Sequence, residues 1–330
     1  MMRAAVVGLG WWGKTMVGML RASDRLKVVL GIDTDPVAGD WARGQGLAFA
    51  AELEAALADP AVDAVILCTP HSRHTAQIAR AAKAGKHVFC EKPLALKRNE
   101  AAQSVALCNA AKVVLGIGHE RRFEPPMREL RRLVDSGELG RLLQIEASFC
   151  QNKLMHLPAD NWRRSVVEAP AGPMTATGIH LIDLAVSFFG PADSALCRSR
   201  QLGSNFANGD TLAVLVTFKN GGVALINAIL ATPFAGRFTL YGDKGWAEIR
   251  DLSHPEKPEG WVLTRCDVSS RTTTQDFPPA PSVRMNLEAF ADAVAGRAPY
   301  PMPQAEMIAN IAALEAILSS AASGAIVSVS

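Results

Sequence analysis

The stretch Ala4-Ala5-Val6-Val7-Gly8-Leu9-Gly10-Trp11-Trp12-Gly13 decides the fold. An apolar run passes straight into G-x-G-x-x-G, and a helical pattern follows over Lys14–Arg21, with Met16, Val17, Met19 and Leu20. Alone, the glycine pattern is weak. After a strand, before a helix and at the head of an alternating β/α region it becomes specific. Gly8 permits a tight turn, Gly10 lets backbone approach a diphosphate, and Gly13 lets the helix pack closely on the strand. The helix N-terminus then offers open N–H groups and a positive dipole end. The next apolar run, Leu26–Ile32, closes on Asp33. A carboxylate there accepts from both hydroxyls of an adenosine ribose and repels a 2′-phosphate, which predicts NAD rather than NADP.

The alternation continues. Helical patterns over Trp41–Gly46 and Glu52–Ala58 flank a short apolar Leu47–Ala50. Runs at Ala64–Leu67, His87–Cys90 and Val113–Ile117 alternate with helices near Thr75–Ala84 and Asn99–Ala110. This predicts an α/β Rossmann domain, a doubly wound parallel sheet over residues 1–122. From 123 to 330 the texture changes. Helices are expected at Phe123–Gly137, Gly178–Phe189, Met285–Ala295 and Gln304–Ser320. Between them lie strand-like Ala213–Phe218, Val223–Leu230, Phe238–Tyr241 and Trp246–Ile249, with Asn220-Gly221-Gly222 as a hairpin turn. A strand-like tail, Ala325–Val329, ends the chain, and Phe277–Pro281 reads as a loop. The second domain is expected to be α+β with an open, mostly antiparallel sheet.

Composition narrows the function classes. In 330 residues, 34 basic and 32 acidic side chains leave a net charge of +2, so nothing points to nucleic acid. The six cysteines are scattered, without C-x-x-C or zinc spacing, and read as reduced thiols; no metal is expected. No apolar run of ~20 residues and no leader pattern stand out, so the expectation is a cytoplasmic protein without a membrane span.

The strand at Ala64–Leu67 ends in Cys68-Thr69-Pro70-His71-Ser72-Arg73-His74, and the next in Cys90-Glu91-Lys92-Pro93. Ligands of open parallel sheets sit at the carboxyl ends of strands. Thr69, Pro70, His71, His74, Glu91 and Lys92 therefore join Gly8, Gly10, Gly13 and Asp33 as candidate cofactor contacts. Trp11 and Trp12 join them too, placed to cover the diphosphate, line the substrate mouth or pack on the second domain. Two charges at the end of a buried strand are costly unless used, and a ligand crevice uses them.

These motifs resemble the glucose-fructose oxidoreductase and inositol dehydrogenase family, along essentially the whole chain. The glycine loop, C-T-P-x-x-x-H (Cys68 to His74) and E-K-P (Glu91 to Pro93) fit, as do Arg122-Phe123 and Gly178-Ile179-His180-Leu181-Ile182-Asp183. The resemblance implies a nicotinamide-dependent dehydrogenase acting on CH–OH groups of sugars, polyols and related rings. It also implies a homodimer or homotetramer built on the second domain's sheet. It gives Lys92 a catalytic position at the reacting oxygen, and as base or as fixed cation a lysine there favours an alkoxide. Glu91 would position Lys92 or the nicotinamide, and Pro93 allows a cis bond that aims the lysine.

His180 is the second candidate, as acid/base or as a hydroxyl partner. Asp183, three residues on, would orient it, reach Lys92 or touch substrate. The chain departs from the family at Ala176, where many sugar and inositol oxidisers carry Asp; Thr177 then becomes a candidate. It departs again at His119, where Asn is frequent, which marks His119 as a substrate contact. Arg163 or Arg164 would grip a substrate carboxylate. The basic run Arg121–Arg132 reads as a solvated helix face. Ala176 and the apolar stretch Ala169–Met174 keep open a cyclic dihydrodiol or aromatic-derived alcohol as substrate. A third reading, of another class, is a non-catalytic dinucleotide sensor; the intact E-K-P and His180 speak against it.

Overall fold

All 330 residues are described in a computed structural model. Strands β1 (Met2–Val7), β2 (Leu26–Ile32), β3 (Ala48–Ala50), β4 (Ala64–Leu67), β5 (His87–Cys90) and β6 (Leu115–Ile117) form a parallel sheet in the order β3-β2-β1-β4-β5-β6. Helices α1 (Trp11–Leu20), α2 (Pro36–Gly44), α3 (Glu54–Ala58), α4 (His74–Lys83) and α5 (Arg98–Ala110) connect them. All four residues of β4 are buried, as a central strand covered on both faces requires. From β1 the chain winds outward to β3, then returns to β4. The order reverses between β1 and β4, the place where such sheets open a ligand crevice.

A second sheet has nine strands. After α6 (Pro125–Asp135) come β7 (Leu142–Cys150), a π-helical turn Met174–Gly178 and α7 (Ile179–Phe189). Then follow β8 (Ala192–Arg200), β9 (Thr211–Phe218), β10 (Val223–Ile229), β11 (Ala235–Gly242), β12 (Gly245–Asp251), β13 (Trp261–Asp267), β14 (Thr272–Phe277) and, near the end of the chain, β15 (Val327–Ser328). The order is β14-β13-β12-β11-β7-β10-β9-β8-β15, antiparallel except where β7 meets β10. Strand β9 alternates, with Leu212, Val214, Val216 and Phe218 inward and Ala213 and Leu215 outward. The Asn220-Gly221 turn joins β9 to antiparallel β10, with Gly221 at φ 90°.

The chain divides into two units, Met1–Glu120 with Pro281–Met307, and Arg121–Ala280 with Ile308–Ser330. The sequence reading assigned 281–307 to the second domain; the segment packs in the first unit instead. Helix α8 (Ser282–Val294) places Val283, Leu287, Phe290 and Ala291 in the first unit's core. The Phe290 ring lies 5.6 Å from Phe89 and fills the space above Gly116. Edge strand β6 is closed by polar side chains of the same segment. Ile117 N–H donates to the Tyr300 hydroxyl at 3.1 Å, that hydroxyl reaches Asn286 Oδ1 at 2.7 Å, and Asn286 Nδ2 donates to Ile117 O at 2.9 Å. Helix α9 (Gln304–Ser323) has the length and apolar composition of a membrane span, and half of its apolar stretch is buried inside the protein.

Candidate active site

Around the glycine loop each glycine answers a different steric demand. Gly8 has φ 90°, and a Cβ there would meet Cys68 O at 2.8 Å. A Cβ on Gly13 would lie 1.9 Å from Gly8 O, so helix and strand backbones touch there. Gly10 is the opposite case: a Cβ would meet nothing within 4 Å, so its backbone faces open space at the start of α1. Asp33, half-buried, accepts Leu9 N–H at 2.6 Å on Oδ2 and Asp35 N–H at 2.9 Å on Oδ1. The carboxylate thus braces the loop that would hold a diphosphate. Trp11 is exposed, while Trp12 packs partly buried against the core, with the two rings 5.4 Å apart. Open backbone at a helix start and a half-exposed carboxylate together fit a dinucleotide.

At the end of β4 the Thr69 hydroxyl donates to Gln77 Oε1 at 2.6 Å, and Pro70 precedes a short turn carrying buried His71. His74 is fully buried. Its Nδ1 lies 2.8 Å from Pro93 O and its Nε2 3.1 Å from Thr69 O. The ring staples the end of β4 to the E-K-P segment. Both partners are carbonyl oxygens, and only the cationic ring donates to both.

The E-K-P segment follows β5. Lys92 is half-buried and its bond to Pro93 is cis. Glu91 is buried, and Lys92 N–H donates to its Oε2 at 3.3 Å. The Glu91 carboxylate occupies the space a side chain on Gly118 would need, 2.5 Å from the ideal Cβ. Burial first, and then the Glu91 charge, pushes the neighbouring Cys90 thiol well above its ordinary range, so it is no nucleophile. His119 is buried beside this carboxylate's support, its N–H on Ile117 O at 2.9 Å.

In the second unit, His180 lies in the first turn of α7, nearly buried, its ring 6.2 Å from that of Phe149. Its neighbours in the chain are held by the fold. Asp183 is bound by Arg122, with Nε to Oδ2 at 2.6 Å and Nη2 to Oδ1 at 2.7 Å. Thr177, buried in the π-helical turn, points its hydroxyl at Phe149 O (3.0 Å) and Pro173 O (3.1 Å), which makes it a brace. Arg164 is likewise engaged, by Leu157 O and Asn205 Oδ1 and over the Phe206 ring. Arg163 stacks 4.2 Å over Trp162 and keeps the role of candidate carboxylate ligand.

The solvated face expected for Arg121–Arg132 holds only for its later part. Arg121 and Glu124 are buried, and Arg121 bonds both Asp251 oxygens at 2.7 and 2.8 Å. Burial works to lower the Arg121 pKa, but the charges of Asp251 and Glu124 reverse this and hold the guanidinium cationic. Its charge also sits 5.4 Å over Phe149, whose ring further meets Phe234 and His254. Another missed feature is the β8–β9 loop. Asn208 Nδ2 donates to Arg163 O at 2.9 Å and Ala169 O at 2.8 Å, fixing the Arg163 segment. Its turn-forming Asn-Gly-Asp signature, 208–210, was visible, but its distant partners were not.

Residues 2–119 match the oxidoreductase family with an NAD-binding Rossmann fold, and residues 127–248 match the GFO/IDH/MocA C-terminal domain. The chain belongs to the GFO/IDH/MocA family and is an NAD-binding oxidoreductase. It is 29% identical over 276 residues to 1,5-anhydro-D-fructose reductase of Ensifer adhaerens, covering 82% of this chain and 81% of that one. It is 28% identical over 278 residues to D-xylose 1-dehydrogenase (NADP(+)) 2 of Haloferax volcanii, with coverage of 83% and 82%. The structure of GenD2 from gentamicin A biosynthesis, in complex with NAD, matches at a TM-score of 0.85 and 25% identity, covering 100% of this chain and 96% of that one.

Proposed function

We propose that the protein is an NAD-dependent dehydrogenase moving a hydride between a secondary alcohol of a sugar, polyol or sugar acid and the nicotinamide. The observation that carries this is Glu91-Lys92-Pro93 at the carboxyl end of β5, on the same sheet edge as the glycine loop after β1. In oxidation the C–H hydride passes to the nicotinamide and the hydroxyl loses its proton. Lys92 stabilises the developing alkoxide, and Lys92 and His180 handle the proton. Gly8, Gly10, Gly13, Trp11, Trp12, Asp33, Thr69, Pro70, His71, His74, Glu91 and Lys92 form the cofactor set, with NAD favoured over NADP by the Asp33 charge. His119 and Arg163 are the remaining substrate contacts. Arg163 is proposed as the ligand of a substrate carboxylate. The apolar stretch that kept a dihydrodiol open is mostly buried, which lowers that reading.

The same reading makes the protein a cytoplasmic homodimer or homotetramer. Six free thiols support the compartment. On the outer face of the nine-stranded sheet, Leu215 and Leu225 pair across β9 and β10 and are exposed, which supports association there. The test is an absorbance screen for reduced nicotinamide, with NAD and separately NADP, over inositols, aldoses, sugar acids and cyclic dihydrodiols. Lys92→Met should cut turnover by on the order of 10²–10⁴ and leave NAD binding intact. Unchanged turnover would remove Lys92 from the mechanism.

A further inference from the structure

Two asparagines in the chain precede a glycine, in Asn208-Gly209 and Asn220-Gly221. That pairing has a chemistry of its own. The glycine amide nitrogen can attack the asparagine Cγ, because no side chain on the following residue obstructs the approach. The fold places the two pairs in opposite surroundings. Asn208 and Gly209 are buried. The Asn208 amide nitrogen donates to Arg163 O at 2.9 Å and to Ala169 O at 2.8 Å, and Gly209 N–H donates to Phe206 O at 2.9 Å. A Cβ on Gly209 would lie 2.8 Å from Ser199 Oγ, so this backbone is closely packed. The nitrogen that would leave is tied into the fold, and burial keeps water from the carbon under attack.

Asn220 and Gly221 form the tip of the β9–β10 hairpin, and both are exposed. Phe218 N–H donates to Gly222 O at 2.9 Å, Gly221 N–H to Phe218 O at 2.9 Å, and Gly222 N–H to Asn220 Oδ1 at 3.0 Å. None of these contacts uses the Asn220 amide nitrogen. An exposed turn of this kind opens locally while the strands beneath it stay paired.

We propose that Asn220 is a site of spontaneous deamidation and that the fold protects Asn208 from the same reaction. The Gly221 nitrogen gives up its proton to base and bonds to Asn220 Cγ, the Cγ–Nδ2 bond breaks, and the nitrogen departs as ammonia. Water then opens the cyclic imide. Opening at Cγ leaves aspartate; opening at the main-chain carbonyl leaves isoaspartate, whose backbone is one carbon longer. Aspartate keeps the acceptor for Gly222 N–H. Isoaspartate lengthens a turn whose strands are fixed in register, with Thr217 opposite Val223. The turn is also pressed onto α7, since a Cβ on Gly222 would lie 2.5 Å from the Phe189 ring. The fold accommodates the first product and strains against the second.

The test is to age the full chain in mildly alkaline buffer and digest it with trypsin in oxygen-18 water, which marks any deamidation that happens during digestion. Cleavage after Arg200, Lys219 and Arg237 puts the two sites on separate peptides, 201–219 and 220–237. In the folded protein Asn220 should convert at least about tenfold faster than Asn208. In urea the two rates should become alike, because only the shared Asn-Gly chemistry then acts. Isoaspartate, detected by enzymatic methylation, should accumulate at Asn220. The isoaspartyl fraction should melt below the unaged chain, while Asn220→Asp should melt with it. Asn220→Ser, which keeps an acceptor for Gly222 N–H, should abolish the acidic species formed on ageing. Equal rates at the two sites in the folded protein would overturn the proposal. So would an Asn220 that survives in the folded protein but deamidates in urea. An isoaspartyl fraction that melts with the unaged chain would overturn the strain assigned to the turn.

Discussion

Asp210 should be among the most sensitive positions in the second unit. The side chain is fully buried. Its Oδ2 accepts from Gly203 N–H at 3.0 Å, Ser204 N–H at 2.7 Å and the Ser204 hydroxyl at 2.7 Å. Oδ1 accepts from Leu202 N–H at 3.0 Å and the Thr211 hydroxyl at 2.8 Å. Asp210→Asn keeps the shape but only one acceptor oxygen. In its best orientation the amide oxygen faces the Ser204 side, the Thr211 hydroxyl turns to accept, and the new NH₂ confronts Leu202 N–H. Leu202 N–H, which also lies 3.1 Å from Oδ2, keeps only that contact, and one bond to an ionised group is lost, for a cost of about 2 kcal/mol near neutral pH.

The pH dependence follows from the same contacts. Burial works to raise the Asp210 pKa, but the donors from Leu202, Ser204, Thr211 and Gly203 outweigh it and the net shift is downward. A carboxyl whose folded pKa is depressed contributes stability that is complete above its unfolded pKa of about 3.9 and lost as pH falls through the folded value. The stability difference between wild type and Asp210→Asn, from urea unfolding, should therefore be flat from pH 6 to 8 and shrink in acid below pH 4. Trypsin gives a structural readout, since Asn208 of the same loop holds the Arg163 carbonyl: nicking after Arg163 and Arg164 should accelerate. A difference below about 0.5 kcal/mol, the level of an ordinary surface change, or one that persists undiminished into acid would refute the reasoning.

Gly13→Ala should abolish NADH binding by calorimetry and lower the melting temperature, because its Cβ would collide with the Gly8 carbonyl backbone at 1.9 Å. Retained affinity would mean that helix α1 can lift off β1 without consequence for the site. Asp33→Ser removes the acceptor of Leu9 N–H and the charge that disfavours a 2′-phosphate. NADH affinity should fall and NADPH affinity rise, and parallel titrations with an unchanged ratio would sink the Asp33 assignment. His74→Ala deletes both carbonyl contacts and leaves a fully buried cavity; a stability loss of about 2–4 kcal/mol is expected, and a loss below 1 kcal/mol in urea unfolding would show that the staple is dispensable.

What the sequence disclosed was chiefly what neighbours in the chain determine. The apolar run into three glycines, the next run ending in Asp33, and two more ending in Thr-Pro and Glu-Lys-Pro contain their own structural reasons. Turn geometry, period and carboxyl-end placement are local properties. The segment 281–307 was misplaced because its partners are remote. Asn286 and Tyr300 close Ile117 from 169 and 183 residues away. The same holds for Arg121, whose partner Asp251 lies 130 residues on. In sequence it sits among exposed arginines such as Arg132, which pairs at the surface with Glu129. Periodicity reports which face of a helix is apolar. It cannot report that one charged residue on that helix has a buried counter-charge on a strand.

Motif residues carry a further ambiguity, and in the second unit it bears on mechanism. The family resemblance implies a carboxylate at the position of Ala176 that would assist the proton transfer. Asp183 would be the obvious substitute, three residues beyond His180, but Arg122 binds both of its oxygens. Thr177 is no replacement either, its hydroxyl being directed at backbone carbonyls. On the proposed mechanism, the proton of the oxidised alcohol passes to an imidazole or an amine, not to a carboxylate. This fixes the shape of the pH–rate profile. With NAD and whichever substrate the screen identifies, kcat/KM for oxidation should rise with slope one through a group titrating at about pH 6.5 or above, the histidine-to-lysine range. A limb controlled by a group near pH 4–5 would place a carboxylate in the proton path and refute the assignment to Lys92 and His180. Arg122→Lys, which keeps the charge but gives up the two-pronged contact with Asp183, offers the internal check. If the acceptor is His180 or Lys92, the limb stays in the same range while kcat falls. If the limb moves toward the carboxylate range once Asp183 is loosened, the arginine was suppressing a base that the fold had held in reserve.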